Sequence, residues 1–516
     1  MSRSDVGDFD WLKQWARLAP TSLAFKDGDT GVSYSYFELF QLSLRLSDHL
    51  RLRFGVHKGD RIAVLAHNAL ETVALFFASL RIGAILVPIN FRLTGREVAH
   101  ILRDSEATLV LTQDSLEPVL HAAHAFDLAT QSTASWSFEE FQSFVAGTLS
   151  LIRREEVRGV MSSNIPWAIG TDDPCMILYT SGTTGAPKGA MITPRMLHWN
   201  SLNTTLRLNL SQNDVFVSFL PFFHTGGWNV LLTPFIHRGG LVVLTRKFDA
   251  DKVLALCESE GATIMFGVPT TMEMMARTAR FESVDLSRVR YAIVGGEPMS
   301  IELIRTWQKK GIPIRQGFGL TEFGPNVFSL NEEDAIRKIG SIGFPNFYVE
   351  TRVVNENGHM VAAGEIGELL LRGDVCTPGY WRNAEATRET IVNGWFHTGD
   401  LVRFDDEGYF YVAGRKKDMF ISGGENVYPV EVEGVLSQHP AVREVAVIGV
   451  PDTKWGEAGC AYISLATNSA VTADELLKFC SGKLAKFKLP REFRFLPELP
   501  KGHSGKILKR HLREMA

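Results

Sequence analysis

The sequence predicts an α/β protein, with a largely parallel sheet covered by helices, then a β-rich stretch, then a compact α+β unit of about a hundred residues. Three observations carry this. Helical and strand patterns alternate over residues 36–112 and resume over 215–316. Near residue 345 the pattern turns to short strands alone. A polar break at Gly414-Arg415-Lys416-Lys417-Asp418 then precedes a segment that mixes both periods again.

Each element follows from its spacing. Tyr36–Leu52 places apolar residues at helical intervals, Arg61–Ala66 reads as a short strand, Ala69–Arg81 as a helix and Ala84–Pro88 as a second strand. The rhythm repeats over 95–112. Residues 128–168 are polar without a clear period and read as an irregular connection. Met176-Ile177-Leu178 reads as a buried strand. Further strands are expected at Val215–Leu220, Gly240–Leu244, Thr263–Gly267, Arg290–Val294 and Ile312–Gln316, each ending at a glycine, proline or polar turn. Val349–Val354, Gly367–Arg372 and Tyr409–Val412 are the strands of the β-rich stretch. The last unit reads as helix Pro429–Ser437, strands Val442–Val450 and Ala461–Ala466, helix Ala473–Leu484, strand Phe493–Leu496 and a final helix.

Bulk properties narrow the function. The 516 residues are 45% apolar and 22% charged, with a net charge of −4 and both signs mixed, so no nucleic-acid footprint is present. Five scattered cysteines at 175, 257, 376, 460 and 480 form no zinc spacing and suit a reducing cytoplasm. No signal peptide is read at the acidic start, and Arg81 interrupts the longest apolar run.

In open α/β sheets, ligands gather beyond the carboxyl ends of strands. Tyr179-Thr180-Ser181-Gly182-Thr183-Thr184-Gly185-Ala186-Pro187-Lys188-Gly189 follows such a strand. Glycines let backbone N–H groups curl around one anion, hydroxyls add donors, and Lys188 adds a charge suited to phosphate. This is a polyphosphate cradle but not a Walker A loop, because Pro187 replaces the second Walker glycine and Gly189 follows the lysine. Other turns complete it. Gly317-Phe318-Gly319-Leu320-Thr321-Glu322 offers an aromatic face, a hydroxyl and a carboxylate for Mg²⁺. Gly295-Gly296-Glu297-Pro298 offers bare backbone to a flat ring, and Asp400 follows the tight turn Gly394–Gly399. Pro500-Lys501-Gly502-His503-Ser504-Gly505-Lys506 sets a lysine on a glycine-rich turn before a helix.

Five such motifs, in the family's order along residues 10–516, resemble the adenylate-forming superfamily of acyl-CoA synthetases, adenylation domains and beetle luciferases. The resemblance implies a large N-terminal domain (1–414), a hinge (415–417) and a small mobile C-terminal lid (418–516). It also implies two steps. A carboxylate displaces pyrophosphate from ATP to give an acyl-adenylate, and a thiol, by default that of coenzyme A, then displaces AMP. By resemblance Lys506 bridges the carboxylate and the α-phosphate. Thr180–Gly185 and Lys188 hold the outer phosphates, Thr321 the α-phosphate and Glu322 Mg²⁺. Asp400, with Arg415 beside it, grips the ribose. Gly296, Glu297, Pro298, Gln316, Gly317, Phe318 and Gly319 frame adenine, Phe318 standing where the family usually has tyrosine. Lys417 is the pivot.

For the acid, Pro221-Phe222-Phe223-His224-Thr225-Gly226-Gly227-Trp228 matches the motif that closes the family's acyl pocket. His224 is expected to gate the carboxylate. Trp228 resembles the gating tryptophan of some long-chain enzymes, though taken alone it reads equally as a core residue. Gly226, Gly227, Gly317 and Gly319 are expected to leave room for a channel, with Val268, Met272 and Phe328 as apolar wall. No Asp occurs between 221 and 231, which favours an apolar acid over an amino acid. The chain stops ten residues after Lys506 with no carrier segment, which favours free CoA, with Gly423, Gly424, Trp455, Phe487 and Arg491 as its contacts. The expectation is a cytoplasmic acid–CoA ligase for a medium or long fatty acid. The alternatives are an aromatic acid of the hydroxycinnamate or benzoate type and, more distantly, a luciferase-like oxidase or a non-catalytic nucleotide-dependent carrier. A homodimer and a peripheral membrane contact stay open.

Overall fold

The computed structural model describes residues 9–127, 133–154, 167–180, 187–297, 299–467, 469–502 and 507–516. The chain divides into two compact units, one of Met1–Glu350 with Leu371–Phe396, the other of Thr351–Leu370 with His397–Ala516.

The first unit holds two sheets. One runs Ala134–Ser137, Leu109–Thr112, Arg61–Leu65, Ile85–Pro88, Met176–Thr180, Lys188–Ile192, all parallel except the last pair. The other runs Ser33–Ser35, Leu23–Asp27, Leu241–Leu244, Val215–Ser218, Ile264–Gly267, Tyr291–Val294, Ile314–Phe318, Phe328–Ser329, Ser341–Pro345, parallel from the second strand to the seventh. Parallel strands need both faces covered, and the covering helices are correspondingly apolar. Every residue of helix Leu70–Ile82 is buried except Glu71. Arg81, the charge that interrupts this run, is buried in an ion pair with Asp10, and its guanidinium lies over the rings of Phe40 and Trp167. Helix Tyr36–Phe54 starts at a reciprocal Ser35–Glu38 cap and ends at Gly55, whose φ of +64° suits glycine. No described helix is long and apolar enough to cross a membrane.

One expectation fails here. Residues 128–168 are not simply irregular, for Ala134–Ser137 is an edge strand and Phe138–Arg154 a 17-residue helix. The helical signal was present in the buried series Phe138, Phe141, Val145, Leu149 and Ile152. The polar residues between them face outward, so a window averaged over the segment reads as featureless.

The second unit contains the hairpin of Trp395–Phe404 with Phe410–Arg415, whose bulk lies in this unit. It also contains a sheet built on the antiparallel pair Val442–Asp452 and Gly456–Leu465, with Glu492–Phe495 added in parallel. Helices Pro429–Leu436 and Ala473–Cys480 share a core with this sheet through Val432, Leu436, Leu476 and Cys480. The second helix ends four residues earlier than its pattern suggested, at a turn containing Gly482 with φ +83°.

Candidate active site

The first unit gathers four of the expected phosphate and metal residues. Thr180 ends its strand and Lys188 opens the next, in direct antiparallel register, so both flank the mouth of one hairpin. Ser181, Gly182, Thr183, Thr184 and Gly185 lie outside the described residues, as do Pro298 and Lys506. The strand Ile314–Phe318 delivers a one-turn helix at Thr321–Phe323, which buries Thr321 and brings Glu322 to the same hairpin. Glu322 Oε1 accepts from the Thr180 hydroxyl at 3.5 Å.

A residue that the sequence reading passed over joins this group. The Tyr380 hydroxyl donates to Glu322 Oε1 at 3.1 Å, and Lys188 Nζ sits 5.4 Å from the centre of the Tyr380 ring. Burial first, and the Glu322 carboxylate second, push the phenol above its ordinary range, so it remains a donor. The signal available in sequence was Pro378-Gly379-Tyr380-Trp381, a turn signature carrying two aromatics.

Next to it lies a bare floor. A Cβ on Gly317 would meet nothing closer than 3.6 Å, and one on Gly295 nothing closer than 3.5 Å, while Gly296 has φ +86°. Gln316 is buried, and its Oε1 accepts from the Met299 N–H at 3.3 Å. Its Nε2 is buried without a partner among the described residues. A buried amide donor left unpaired costs about 1–3 kcal/mol, so it marks a place where a ligand acceptor fits. Phe318 is half-buried, edge-on to Phe328 at 5.9 Å.

The acyl motif forms a tight turn. His224 is exposed and caps the short helix Thr225–Trp228, its Nδ1 accepting from the Gly226 N–H at 3.0 Å. That bond leaves the ring proton on Nε2. Trp228 is fully buried, its indole N–H donates to the Phe222 carbonyl at 2.6 Å, and its ring packs on Phe222 and Phe76. A Cβ on Gly227 would lie 2.3 Å from the Pro221 carbonyl, and one on Gly319 1.9 Å from the Pro325 carbonyl. The backbone, not a channel, accounts for these two glycines. Met272 and Phe328 are likewise buried in the core, while Val268 is half-buried at a helix start.

Polar struts tie this turn to the nucleotide turn. Asn326 Nδ2 donates to the Val230 carbonyl at 3.0 Å and to the Thr204 hydroxyl, and its own carbonyl accepts from Asn346. Asn200 Nδ2 donates to the Asn229 carbonyl at 2.6 Å, and a Cβ on Gly324 would meet Asn200 Oδ1 at 3.1 Å.

In the second unit, Asp400 and Arg415 face each other across the hairpin, with Nε to Oδ1 at 2.7 Å. Asp400 is 4% exposed, and its own N–H donates to the Thr398 hydroxyl. Lys417 follows in a one-turn helix, its carbonyl accepting from Arg513, which also pairs with Asp418 at 2.7 Å. Gly423, Trp455 and Arg491 come together. The Gly423 N–H donates to the Trp455 carbonyl, a Cβ there would strike the indole at 2.4 Å, and the Arg491 guanidinium lies 5.3 Å from the ring centre. Gly424 continues the turn with φ +86°. Phe487 packs on the unit's own core.

A family model described as "AMP-binding enzyme" matches residues 12–381, and its companion, "AMP-binding enzyme C-terminal domain", matches 431–506. The chain belongs to the AMP-binding enzymes. A feruloyl-CoA synthase from Amycolatopsis is 38% identical over 503 residues, covering 98% of both chains. The long-chain-fatty-acid–CoA ligase FadD13 of Mycobacterium tuberculosis is 37% identical over 98% of this chain and 97% of its own. Among solved structures, O-succinylbenzoate coenzyme A synthetase from Bacillus subtilis, in complex with ATP and magnesium ion, superposes with a TM-score of 0.84. It shares 30% identity and covers 98% of this chain and 99% of its own.

The chain is therefore an AMP-forming acid–thiol ligase that uses ATP, Mg²⁺ and coenzyme A, with the mixed α/β architecture of the adenylate-forming superfamily. The ligase presents Glu322 to hydroxyl donors only, among the described contacts that its carboxylate makes. A carboxylate contacted by hydroxyl donors alone still offers oxygen ligands to a hard divalent cation, so the site fits magnesium.

Proposed function

We infer that the ligase activates a compact aromatic or aryl-alkanoic acid and transfers it to coenzyme A. The observation that carries this is the closed acyl turn. Trp228 is locked into the core by its bond to Phe222, and Gly227 and Gly319 are filled in by backbone, so neither opens a path for a long chain. Similarity to a feruloyl-CoA synthase and to an indoleacetate–CoA ligase at 36% identity supports the same class. The similarity to a long-chain-fatty-acid–CoA ligase supports the second reading, a fatty acid, which requires Trp228 to leave its present bond.

The chemistry divides among the residues as follows. A carboxylate oxygen attacks the α-phosphorus, the bond to the bridging oxygen breaks, and pyrophosphate departs. Two anions must meet, so the step needs positive charge and fixed geometry more than proton transfer. Lys506 supplies charge at the reacting oxygens, and Lys188 with the Thr180–Gly185 loop steadies the outer phosphates. Thr321 donates to the α-phosphate, and Glu322 holds magnesium, which neutralises phosphate charge when bound. Gln316 Nε2 meets an adenine acceptor above the Gly295–Gly296–Gly317 floor, flanked by Glu297 and Pro298, and Phe318 supplies the ring face. Asp400, aligned by Arg415, accepts the ribose hydroxyls. His224 donates from Nε2 to the incoming carboxylate, and Gly226 and Val268 border it. The thiol sulfur then attacks the acyl carbon and AMP leaves. Gly423, Gly424, Trp455, Phe487 and Arg491 guide CoA, and rotation about Lys417 exchanges the two steps.

A panel of benzoates, cinnamates, arylacetates and C6–C18 fatty acids, read by acid-dependent AMP release with ATP and CoA, tests the reading. The highest kcat/KM should fall among the aromatic acids. A maximum at C12 or longer would transfer the conclusion to fatty acids.

A further inference from the structure

Tyr380 is held unusually firmly for a loop residue. The Met191 N–H donates to the Gly379 carbonyl and the Trp381 N–H to the Gly189 carbonyl, so its segment is stitched to the edge strand Lys188–Ile192. Its own N–H donates to the Thr387 hydroxyl at 3.0 Å, and the Trp381 indole donates to the Asp104 carbonyl at 3.1 Å. The Thr377 N–H donates to the Glu322 carbonyl at 2.8 Å, which fixes the same segment to the turn bearing Glu322. Backbone anchors therefore aim one phenol at two groups of the site. Its hydroxyl meets the carboxylate and its ring face meets the lysine ammonium.

We propose that Tyr380 is a positioning residue for both phosphate-side groups of the ligase, orienting the Glu322 carboxylate for magnesium and parking Lys188 until the nucleotide arrives. The inference rests on the reading that Glu322 holds the metal. Both hydroxyl contacts, from Tyr380 and Thr180, fall on Oε1. They orient the carboxylate so that Oε2 is the oxygen presented to a cation, and supporting donors of this kind set the orientation and affinity of metal ligands. A cation over a ring face is attracted weakly. That attraction holds Lys188 near its working place and yields readily to a phosphate, for which a lysine ammonium has much the stronger affinity.

The test uses the full-length ligase with Mn²⁺ as probe, its binding in the presence of ATP read by electron paramagnetic resonance. Tyr380→Phe keeps the ring and removes the hydroxyl. It should raise the Mn²⁺ dissociation constant about tenfold, the scale of one hydrogen bond to a charged group. kcat for pyrophosphate exchange at saturating metal should fall less than about threefold, a split that a merely structural role would not produce. Tyr380→Leu should show the same loss of metal affinity and, at saturating Mn²⁺, weaken ATP binding a further two- to threefold through Lys188. Mn²⁺ affinity within twofold of wild type in Tyr380→Phe overturns the carboxylate role, and equal ATP affinity in the Phe and Leu variants overturns the lysine role. Glu322→Gln separates the two readings. If Glu322→Gln loses Mn²⁺ binding and Tyr380→Phe does not, only the tyrosine inference falls. If Glu322→Gln binds Mn²⁺ as wild type does, the metal assignment itself falls.

Discussion

Replacing Trp228 by phenylalanine separates a core anchor from a gate. The indole is fully buried and its N–H bonds the Phe222 carbonyl at 2.6 Å. The substitution leaves that carbonyl unpaired in the interior, which costs about 1–3 kcal/mol. It also removes roughly 40 Å³ of side chain, worth about 1 kcal/mol at ~24 cal/mol per Å³ of residual cavity. The expected loss is therefore about 2–4 kcal/mol. Trp228 lies in a unit of roughly 370 residues. With about 2.1 cal/mol/K of unfolding entropy per residue, each kcal/mol moves the midpoint by about 1.3 °C. Scanning calorimetry should show the transition of this unit falling by about 3–5 °C. Because Phe222 and His224 share the turn, kcat/KM should fall for every acid by a similar factor, with the ranking of short, medium and long acids preserved. A variant as stable as wild type with a reordered chain-length profile would refute the anchor argument and establish the gate.

Four further outcomes follow from other parts of the molecule. Lys506→Ala should reduce adenylate formation by at least a hundredfold while CoA transfer from supplied acyl-AMP stays within threefold, since the second step brings no anion to phosphate; rapid quench of the two half-reactions decides it. Lys417→Pro should slow thioester formation more than pyrophosphate exchange, because proline fixes φ at the pivot; equal rates in both assays count against the hinge. Asp400→Asn should raise the KM for ATP about thirtyfold, as a charged acceptor becomes neutral and Arg415 loses its partner, with the KM for CoA unchanged. Burial first, then His198 and Arg238, push His237 from 6.5 down to about 4, and its ring stacks on Trp11 at 4.4 Å. A lowered histidine pKa leaves its stabilising effect intact above pH 6.5 and removes it as pH falls towards 4, about 3 kcal/mol in all. His237→Gln should flatten the fall in Tm over that window.

The parts of the site legible in sequence are those where chemistry and punctuation coincide. Thr180, Lys188 and Glu322 each stand beside a glycine-marked turn at a strand end, and Asp400 follows Gly399 inside the strand Trp395–Phe404, so the glycines drew attention to all four. Tyr380 was invisible because its partners lie 58 and 192 positions away in the chain, and only the stitching of Gly379 and Trp381 to the edge strand brings them together. Glycines misled for a related reason. Gly227 and Gly319 signal close approach, but a sequence cannot say whether backbone or ligand does the approaching. The strand Ala134–Ser137 was missed because a four-residue edge with one large apolar side chain, Trp136, carries almost no period of its own.

The asparagine struts carry a consequence for how such an enzyme changes diet. Asn326, in the loop that follows Glu322, bonds the Val230 carbonyl in the loop that follows Trp228, and Asn200 bonds the neighbouring Asn229 carbonyl while lying against Gly324. Reshaping one loop to admit a bulkier meal therefore tugs on the other. Lineages that diversify their menu should pass through intermediates with poorer grip on fuel, and laboratory evolution selecting only for a new acid should collect compensating changes around positions 200, 204 and 326 before turnover recovers.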